Sequence, residues 1–377
     1  MIKRTLAAVL CAGLLVCPAA AAGAPQVEAG AAVLMEKETG TILCEQNAHD
    51  KREPASVTKV MTLLLVMEAL DEGRIASTDQ VTVSAHAASM GGSQVYLKEG
   101  EQMSVEELVK AVAVVSGNDA AVALAEHIAG SEEAFVARMN EKAAQLGMAD
   151  TNFVNCTGLP AAGHLTSAYD IALMSRALIL DHPGIRAYST IWMDTIRGGS
   201  FQLANTNKLV RYYEGCTGLK TGSTDSALYC LSATAEREGM ELIAVVLGSP
   251  TSAQRFDAAQ SLLTYGFANY TLVDVRPDQA IPPVSVSLGV ADTVQPVLEN
   301  GSRILVEKSQ LNQISTSLQL SDGVEAPVEP GQKLGELIVS AGDAPLQRIP
   351  LVADQAVARI TVPGLFLRLM KTLFLAG

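Results

Sequence analysis

The chain has 377 residues, 49% apolar and 18% charged, so its composition is that of a folded protein and excludes a disordered polyelectrolyte. The formal net charge of −13 argues against nucleic-acid binding, because neutralising phosphate groups requires clustered Lys and Arg. No group of Cys and His has the spacing of a zinc site, and we expect neither a metal nor another cofactor. The length allows two or three domains.

The N-terminal residues have the pattern of an export signal. Lys3 and Arg4 precede an apolar run from Leu6 to Val16, and the alanines that follow suit cleavage by signal peptidase. We therefore predict that residues 1–22 are a signal peptide and that the mature protein lies outside the cytoplasm. A buried N-terminal helix and a lipid-modified Cys17 are the alternatives that this pattern leaves open.

Four cysteines lie beyond the predicted signal peptide, far apart in the sequence. An exported protein can form disulfide bonds, but buried thiols are favoured because a free cysteine packs as a small apolar side chain. The four are Cys44, Cys156, Cys216 and Cys230.

Up to about residue 270, the predicted elements run in the order strands, helices, strands, helix. The helix over 54–70 is apolar nearly all round, which places it in the middle of a domain. The whole order predicts an α+β domain over residues 28–272, whose sheet joins distant segments of the chain. In chain order, the predicted strands and helices are 32–35, 41–45, 54–70, 104–115, 119–128, 131–146, 167–180, 229–235, 242–247 and 253–265.

Beyond this region, short β-type runs separated by Gly, Asp, Asn and Pro predict a small all-β domain over residues 276–360. The final segment, residues 362–377, is strongly apolar and has only Arg368 and Lys371 as charges. At helical spacing both cations fall off the apolar face, and the segment is too short and too charged to span a bilayer. We predict an amphipathic helix lying on a membrane surface, with a terminal helix packed on the protein's own core as the alternative.

Ser56-Val57-Thr58-Lys59 is the first of three motifs that can carry chemistry. Ser56 stands at the start of the long predicted helix, and Lys59 follows one turn later on the same face. If burial keeps the amine neutral, Lys59 can accept the proton of the Ser56 hydroxyl and so activate a nucleophile. Backbone N–H groups at the helix start would stabilise an oxyanion there. Alone, the motif is equally typical of a capping serine beside a solvated lysine.

Two further motifs are each weak evidence for a catalytic site when taken alone. Ser116-Gly117-Asn118 lies in a predicted break between helices, where it either places two polar side chains in one cleft or simply caps a helix. Lys220-Thr221-Gly222 begins the later β region, where a cation and a hydroxyl suit a substrate carboxylate, although a surface turn would look the same. Together, in this order and about 60 and 100 residues apart, the three motifs form the signature of the penicillin-recognising serine hydrolases.

The sequence resembles the D-alanyl-D-alanine carboxypeptidases among the low-molecular-mass penicillin-binding proteins. The resemblance implies a catalytic domain like that of β-lactamases and transpeptidases, an antiparallel sheet with a helical cluster, followed by the small β domain and the terminal helix. It extends to segments outside the three motifs. These are Asn152–Asn155, Thr157–Pro160, His164–Asp170, Asn205–Leu209, Arg255–Phe256 and Tyr265–Phe267.

By this resemblance Ser56 would be the acylated nucleophile, Lys59 its general base, and Ser116 the group that passes a proton to the departing D-alanine. The backbone N–H groups of Ser56 and Ser223 would form the oxyanion hole. The implied substrate is a peptidoglycan stem peptide ending in D-Ala-D-Ala, and β-lactam antibiotics would acylate the same serine. The residues that would bind substrate are Asn118, Lys220, Thr221, Gly222 and Arg255.

Two other functions remain as alternatives. A class A serine β-lactamase has the same three motifs but also needs a glutamate in an E-x-x-L-N stretch, and none occurs between Asn118 and Lys220. A non-catalytic peptidoglycan-binding protein on the same fold could dispense with catalytic residues, whereas all of them are present here. Release of D-alanine from a peptide ending in D-Ala-D-Ala discriminates among the three.

Overall fold

The computed structural model of the protein describes residues 23–277, 279–299 and 302–375, so the predicted signal peptide lies outside the described residues. Strands and α-helices are numbered in chain order. The strands are β1 Ala31–Glu36, β2 Ile42–Gln46, β3 Gln80–Thr82, β4 Gln102–Ser104, β5 Met193–Ile196, β6 Phe201–Ala204, β7 Cys216–Thr224, β8 Leu228–Arg237, β9 Met240–Ser249, β10 Tyr270–Asp274, β11 Val284–Ser287, β12 Thr293–Val294, β13 Pro296–Leu298, β14 Arg303–Glu307, β15 Ile314–Leu320, β16 Val324–Glu325, β17 Lys333–Ala341 and β18 Ala344–Ala353. The α-helices are α1 Lys59–Asp71, α2 Ala85–Ala88, α3 Val105–Val115, α4 Asn118–Ala129, α5 Glu132–Gln145, α6 Ala168–Asp181, α7 Arg186–Ser189, α8 Leu209–Tyr212, α9 Ser252–Asn269 and α10 Val362–Leu375.

An antiparallel sheet of five strands, in the order β2–β1–β9–β8–β7, forms the centre of the larger part of the chain. Its strands come from both ends of that part, so the sheet joins distant segments as predicted. Successive side chains of a strand face opposite sides of a sheet. Val33, which pairs with Val245, therefore faces a cluster of helices, and the next residue, Leu34, faces α9.

Helix α1 runs through the middle of the helical cluster, in contact with α6, α4 and α3. Every side chain from Lys59 to Met67 is buried, which confirms that this apolar helix is central. A charged group at the start of such a helix lies in a largely apolar interior, where ionisation is unfavourable. Lys59 occupies this position, so its protonated form is disfavoured.

The start of the long helix differs from the prediction. The sequence predicts one α-helix over 54–70, whereas Ala55–Thr58 form a turn of 3-10 helix and the α-helix begins at Lys59. Ala55 has a left-handed φ of 49°, which excludes it from a regular right-handed α-helix. Ser56 therefore lies in the 3-10 turn and not in the α-helix.

Most other predicted elements are confirmed to within a few residues. The first hairpin is β1–β2, the four middle helices are α3 to α6, the second hairpin is β8–β9, and the last predicted helix is α9. Hairpin β5–β6 was not predicted, because its strands have only four residues each and their alternation is too brief to stand out.

Apart from one 3-10 helix at Lys308–Gln313, the C-terminal part of the described chain is built of β-strands up to its last helix, which confirms the predicted β-rich domain. A four-stranded sheet has the order β13–β18–β17–β15, and a three-stranded sheet has the order β12–β11–β16. Strand β14 pairs with β10, which follows α9 directly. Arg303 of β14 also forms an ion pair with Glu38 at 2.8 Å, so this part is fastened to the larger one.

The last helix, α10, presents apolar side chains to solvent, among them Val362 and Phe366. Arg368 donates to the Gly289 carbonyl oxygen at 3.1 Å and forms an ion pair with Asp292, which sets the helix against the β-rich part. None of the helices within the described ranges combines the length and the apolar character needed to traverse a bilayer.

The four cysteines beyond the predicted signal peptide are free thiols, as the sequence favours. Cys156 and Cys230 are buried, and the other two are partly buried. Burial raises the pKa of Cys44, Cys216 and Cys230 to about 11, which leaves these thiols unreactive at neutral pH.

Gly158 packs closely against the turn before α1, and a substitution at this position measures how much that packing contributes to stability. Its φ is +81°, and a Cβ at this position would clash with the carbonyl oxygen of Ala55. We expect Gly158→Ala to lower the free energy of unfolding by about 2–4 kcal/mol, because the methyl group must displace the backbone of the turn. Gly163→Ala is the matched control: its φ of +83° is similar, but the nearest atom would be 3.8 Å away. If urea unfolding shows the same loss of stability in both variants, the close approach of Gly158 to Ala55 is not the cause of that loss.

Candidate active site

Ser56 and Lys59 face each other at the start of α1. Their positions three residues apart place the two side chains on one face of the turn. The Lys59 Nζ is 3.1 Å from the Ser56 Oγ, within hydrogen-bond distance. Ser56 is partly exposed, whereas Lys59 is completely buried. A serine that substrate can reach thus lies beside an amine that is shielded from bulk water.

Three oxygen atoms surround the Lys59 amine. Besides the Ser56 Oγ, the Nζ contacts the Asn118 Oδ1 at 2.5 Å and the Thr157 carbonyl oxygen at 2.7 Å. Burial lowers the pKa of Lys59 from 10.5 to about 7, against smaller opposing effects of nearby acidic groups. A neutral amine has two N–H bonds, which Asn118 and Thr157 can accept, and one lone pair, which then faces Ser56. A general base for Ser56 requires this arrangement.

The junction of α3 and α4 brings Ser116 and Asn118 to the same place. Ser116 ends α3 with a left-handed φ of 65°, and its buried Oγ has no hydrogen-bond partner among the described residues. Asn118 is the first residue of α4, and its Nδ2 donates to the Gly91 carbonyl oxygen at 2.6 Å while its Oδ1 faces Lys59. Left-handed backbone and an unsatisfied hydroxyl both cost free energy, and such costs concentrate at functional sites.

Strand β7, an edge of the sheet, carries the third motif. Lys220 is buried, and burial together with the charges of Lys59 and Arg255 holds its pKa well below the usual 10.5. Gly222 faces the turn before α1: a Cβ there would lie 2.9 Å from the Ser56 backbone nitrogen. Only glycine therefore lets β7 approach the backbone of Ser56 so closely.

Thr221 and Ser223 alternate with these residues and face the other side of the strand. The Thr221 Oγ donates to the Thr206 Oγ at 2.7 Å, and Ser223 is exposed. Thr206 is exposed too, and its N–H donates to the Val114 carbonyl oxygen near the end of α3. Thr206 is thus a hydroxyl of the site that the three motifs do not include, although it lies in a segment on which the family resemblance rests.

Arg255 extends from the first turn of α9 toward β7. Its Nη1 donates to the carbonyl oxygens of Gly222 and Cys230 at 3.0 and 3.2 Å, and its guanidinium lies over the rings of Tyr229 and Phe256. Burial lowers its pKa to about 10, so it remains charged at neutral pH. Arg255 therefore braces β7, and its contact with a substrate carboxylate stays a prediction.

The segment from 154 to 164 is a further wall of the site, whose contacts the motifs do not predict. Its Thr157 carbonyl oxygen accepts from Lys59. His164 is buried, and because its Nδ1 accepts from the Val154 N–H, its Nε2 donates to the Thr58 Oγ1 at 2.8 Å. Burial lowers the pKa of His164 to about 4, so the ring is neutral. In the sequence, the sign that this loop has a structural role is a histidine among mostly small residues.

The Lys59 amine contacts the Ser56 hydroxyl and the Asn118 carboxamide, Ser116 lies two residues before Asn118, and Lys220 is close enough for the charge of Lys59 to lower its pKa. This set can transfer an acyl group to serine and then to water by proton transfers among side chains. Within the described part of the chain, no three His, Cys, Asp or Glu side chains are grouped as metal ligands.

Comparison with known proteins decides the family. The family model for D-alanyl-D-alanine carboxypeptidase matches residues 18–251, which is more than half of the chain. The chain belongs to the D-alanyl-D-alanine carboxypeptidase family. A second family model, the C-terminal domain of penicillin-binding protein 5, matches residues 275–359 and so accounts for the β-rich part.

Relatives match over both parts of the chain. The D-alanyl-D-alanine carboxypeptidase DacF of Bacillus subtilis is 41% identical over 333 residues, which cover 87% of this chain and 85% of the relative. The crystal structure of penicillin-binding protein 5 from Haemophilus influenzae has a TM-score of 0.82 at 32% identity, covering 89% of this chain and 99% of that chain. Penicillin-binding protein D2 of Listeria monocytogenes, in its ampicillin-bound form, has a TM-score of 0.59 at 34% identity and covers 64% and 98%.

The surroundings of Lys59 predict how labelling of Ser56 by penicillin depends on pH. Because the neutral amine is the active form and its pKa is about 7, the labelling rate should rise through pH 7 and then level off. Asn118→Asp puts a carboxylate where the amide oxygen contacts Lys59, which favours the protonated amine and moves the rise to higher pH. Asn118→Ala removes the oxygen without adding charge and serves as the control. Identical midpoints in wild type and Asn118→Asp would contradict Lys59 as the titrating base.

Proposed function

We propose that the protein is a serine-type D-alanyl-D-alanine carboxypeptidase that removes the last D-alanine from peptidoglycan pentapeptide stems and binds penicillin at the same serine. The observation that carries the proposal is the Lys59 amine, which is buried, has a pKa of about 7 and lies 3.1 Å from the Ser56 hydroxyl. A serine beside a neutral amine is a nucleophile for acyl groups. The substrate class follows from the family, whose Bacillus subtilis member is named for this activity.

The first step forms the acyl-enzyme. The Ser56 oxygen attacks the carbonyl carbon between the two D-alanines while its proton passes to the Lys59 Nζ. The negative charge that develops on the carbonyl oxygen is met by the backbone N–H groups of Ser56 and Ser223. The close packing of Gly222 on the turn supports this pairing, because it brings β7 beside the backbone of Ser56.

The C–N bond then breaks, and the nitrogen of the departing D-alanine takes up a proton. We assign this transfer to Ser116, whose buried hydroxyl is not engaged by any described residue. Its proton passes to the nitrogen and is replaced by the proton that Lys59 took from Ser56, so Lys59 is neutral again before water attacks.

Asn118 would hold the substrate amide. Lys220, Thr221 and Arg255 would bind the terminal carboxylate. Arg255 is charged, and the approaching carboxylate would favour the protonated form of Lys220, which burial alone disfavours.

Water completes the cycle. A water molecule attacks the ester carbonyl, one of its protons passes to Lys59, and the Ser56 oxygen leaves with a proton. The products are a tetrapeptide stem, D-alanine and the unchanged enzyme. A β-lactam acylates the same serine, but its leaving amine stays attached to the acyl group and keeps water from the ester. The ampicillin-bound form of the Listeria relative supports the binding of β-lactams.

Two assays on one preparation separate this function from its alternatives. We expect the protein to be labelled by fluorescent penicillin and to release D-alanine from diacetyl-Lys-D-Ala-D-Ala. Ser56→Ala should lose both activities because it lacks the nucleophile, whereas Ser261→Ala, which changes an exposed serine of α9, should keep both. Labelling without release of D-alanine would favour a β-lactamase or a binding protein. Labelling of the Ser56→Ala variant would refute the assignment of Ser56 as the nucleophile.

We also propose that the exported protein is attached to the outer face of the cytoplasmic membrane by its last helix. The support is that α10 exposes Val362, Phe366 and Phe374 by 83%, 64% and 77%, and such side chains favour the interface of a bilayer. The proposed parts are a signal peptide at 1–22, a catalytic domain at 28–272, a β domain at 276–360 and an amphipathic anchoring helix at 362–377.

Deletion of residues 362–377 tests the anchor. The shortened protein should stay in the supernatant when lipid vesicles are sedimented, whereas the full-length mature protein should sediment with them, because the exposed apolar side chains are the proposed membrane contact. A full-length variant with Phe366→Glu and Phe374→Glu should behave like the deletion. Sedimentation of the shortened protein would show that the contact lies elsewhere.

A further inference from the structure

Tyr96 is an exposed aromatic residue in a strained backbone conformation. Its φ is +57°, in the left-handed region that bulky residues rarely adopt, and it is 69% exposed. Such a conformation persists only where the surrounding structure enforces it, and it is concentrated at functional sites. The reaction proposed above makes no use of this ring.

Two side chains enforce the conformation. The buried Asp119 carboxylate accepts hydrogen bonds from the backbone N–H groups of Val95 and Leu97, each at 3.0 Å. From the other side, the Arg197 guanidinium donates to the carbonyl oxygens of Val95 and Tyr96 at 2.8 and 3.3 Å. The side chains of Val95 and Leu97 are buried. The backbone around Tyr96 is therefore fixed, and the ring is directed toward solvent.

The same loop is a wall of the reaction cleft. The Ser93 carbonyl oxygen accepts from the Asn118 N–H at 2.7 Å. Tyr96 follows Ser93 by three residues, which span about 10 Å when extended. A pentapeptide stem whose fourth carbonyl lies at Ser56 has three residues left, again about 10 Å, before it joins the glycan. Tyr96 is therefore within reach of the sugar end of such a stem.

A cavity of about 560 Å³ lies beside Tyr96, within the size range of small-ligand sites. Phe201 meets the Tyr96 ring edge-to-face at 6.4 Å and leaves most of the ring open. The C–H face of a sugar packs on an open aromatic ring, while its hydroxyl and N-acetyl groups bond to flanking charged groups. The cavity is lined by Tyr96, Lys98, Glu99, Gly100, Glu101 and Arg197.

We propose that Tyr96 and this cavity form a subsite for the N-acetylated amino sugar to which the stem peptide is attached. In this subsite the Tyr96 ring packs on the sugar, and Asp119 and Arg197 are positioning residues for it. The subsite would direct the enzyme toward stems that are still linked to glycan. It rests on the proposed carboxypeptidase function, and the following test measures the two separately.

The test compares kcat/KM for D-alanine release from a disaccharide-pentapeptide and from the free pentapeptide of the same sequence. We expect the wild-type enzyme to prefer the sugar-linked substrate by about five- to tenfold, the contribution of one aromatic contact, and Tyr96→Gly to lose that preference. Glycine adopts the left-handed conformation without strain, so this variant retains the loop, and thermal unfolding verifies its fold. Tyr96→Phe, which keeps the ring, should keep the preference.

Leu288→Gly is the matched control, because Leu288 has the same φ of +57° and is 43% exposed but lies in the β-rich part. It should leave the preference unchanged. Equal losses on both substrates in Tyr96→Gly, or no preference in the wild type, would overturn the sugar subsite. Failure of the wild type to release D-alanine from either substrate would instead refute the carboxypeptidase function, and the subsite with it.

Discussion

The active site depends on one unfavourable placement, an amine buried at the start of an apolar helix. Burial holds the pKa of Lys59 near 7, so a side chain that would be protonated in water becomes a base. The placement costs stability whenever the unfolded chain binds a proton that the folded chain does not. That cost is absent above the ordinary pKa of 10.5, grows as pH falls, and is complete below about 7.

Separate segments of the chain meet to keep that amine neutral and within reach of the nucleophile. The turn before α1 supplies Ser56, the start of α4 supplies Asn118, and the loop after α5 supplies the Thr157 carbonyl oxygen. Strand β7 closes the site from the sheet, and Gly222 permits the approach. The five-stranded sheet joins the two ends of the larger part, so the site forms only when the whole of that part is folded.

The sequence reveals the features of the site that follow a local pattern. The apolar run after Lys59 predicts that the amine is buried, and the three motifs supply the side chains. The 3-10 turn around Ser56 could not be predicted, because the φ of Ala55 depends on packing by Gly158 and Gly222 from remote segments. The acceptor at Thr157 is a backbone oxygen, which every residue has, so no sequence pattern marks it.

With a pKa of about 7, Lys59 is about half neutral at pH 7 in the free enzyme, whereas a lysine in water would be almost fully protonated. NMR of protein containing lysine labelled with 13C at Cε measures this directly, because the resonance moves as the amine loses its proton. The resonance that disappears in Lys59→Met is predicted to titrate with a midpoint near 7 in the wild-type protein. A midpoint above about 9, as for a solvent-exposed lysine, would contradict the account.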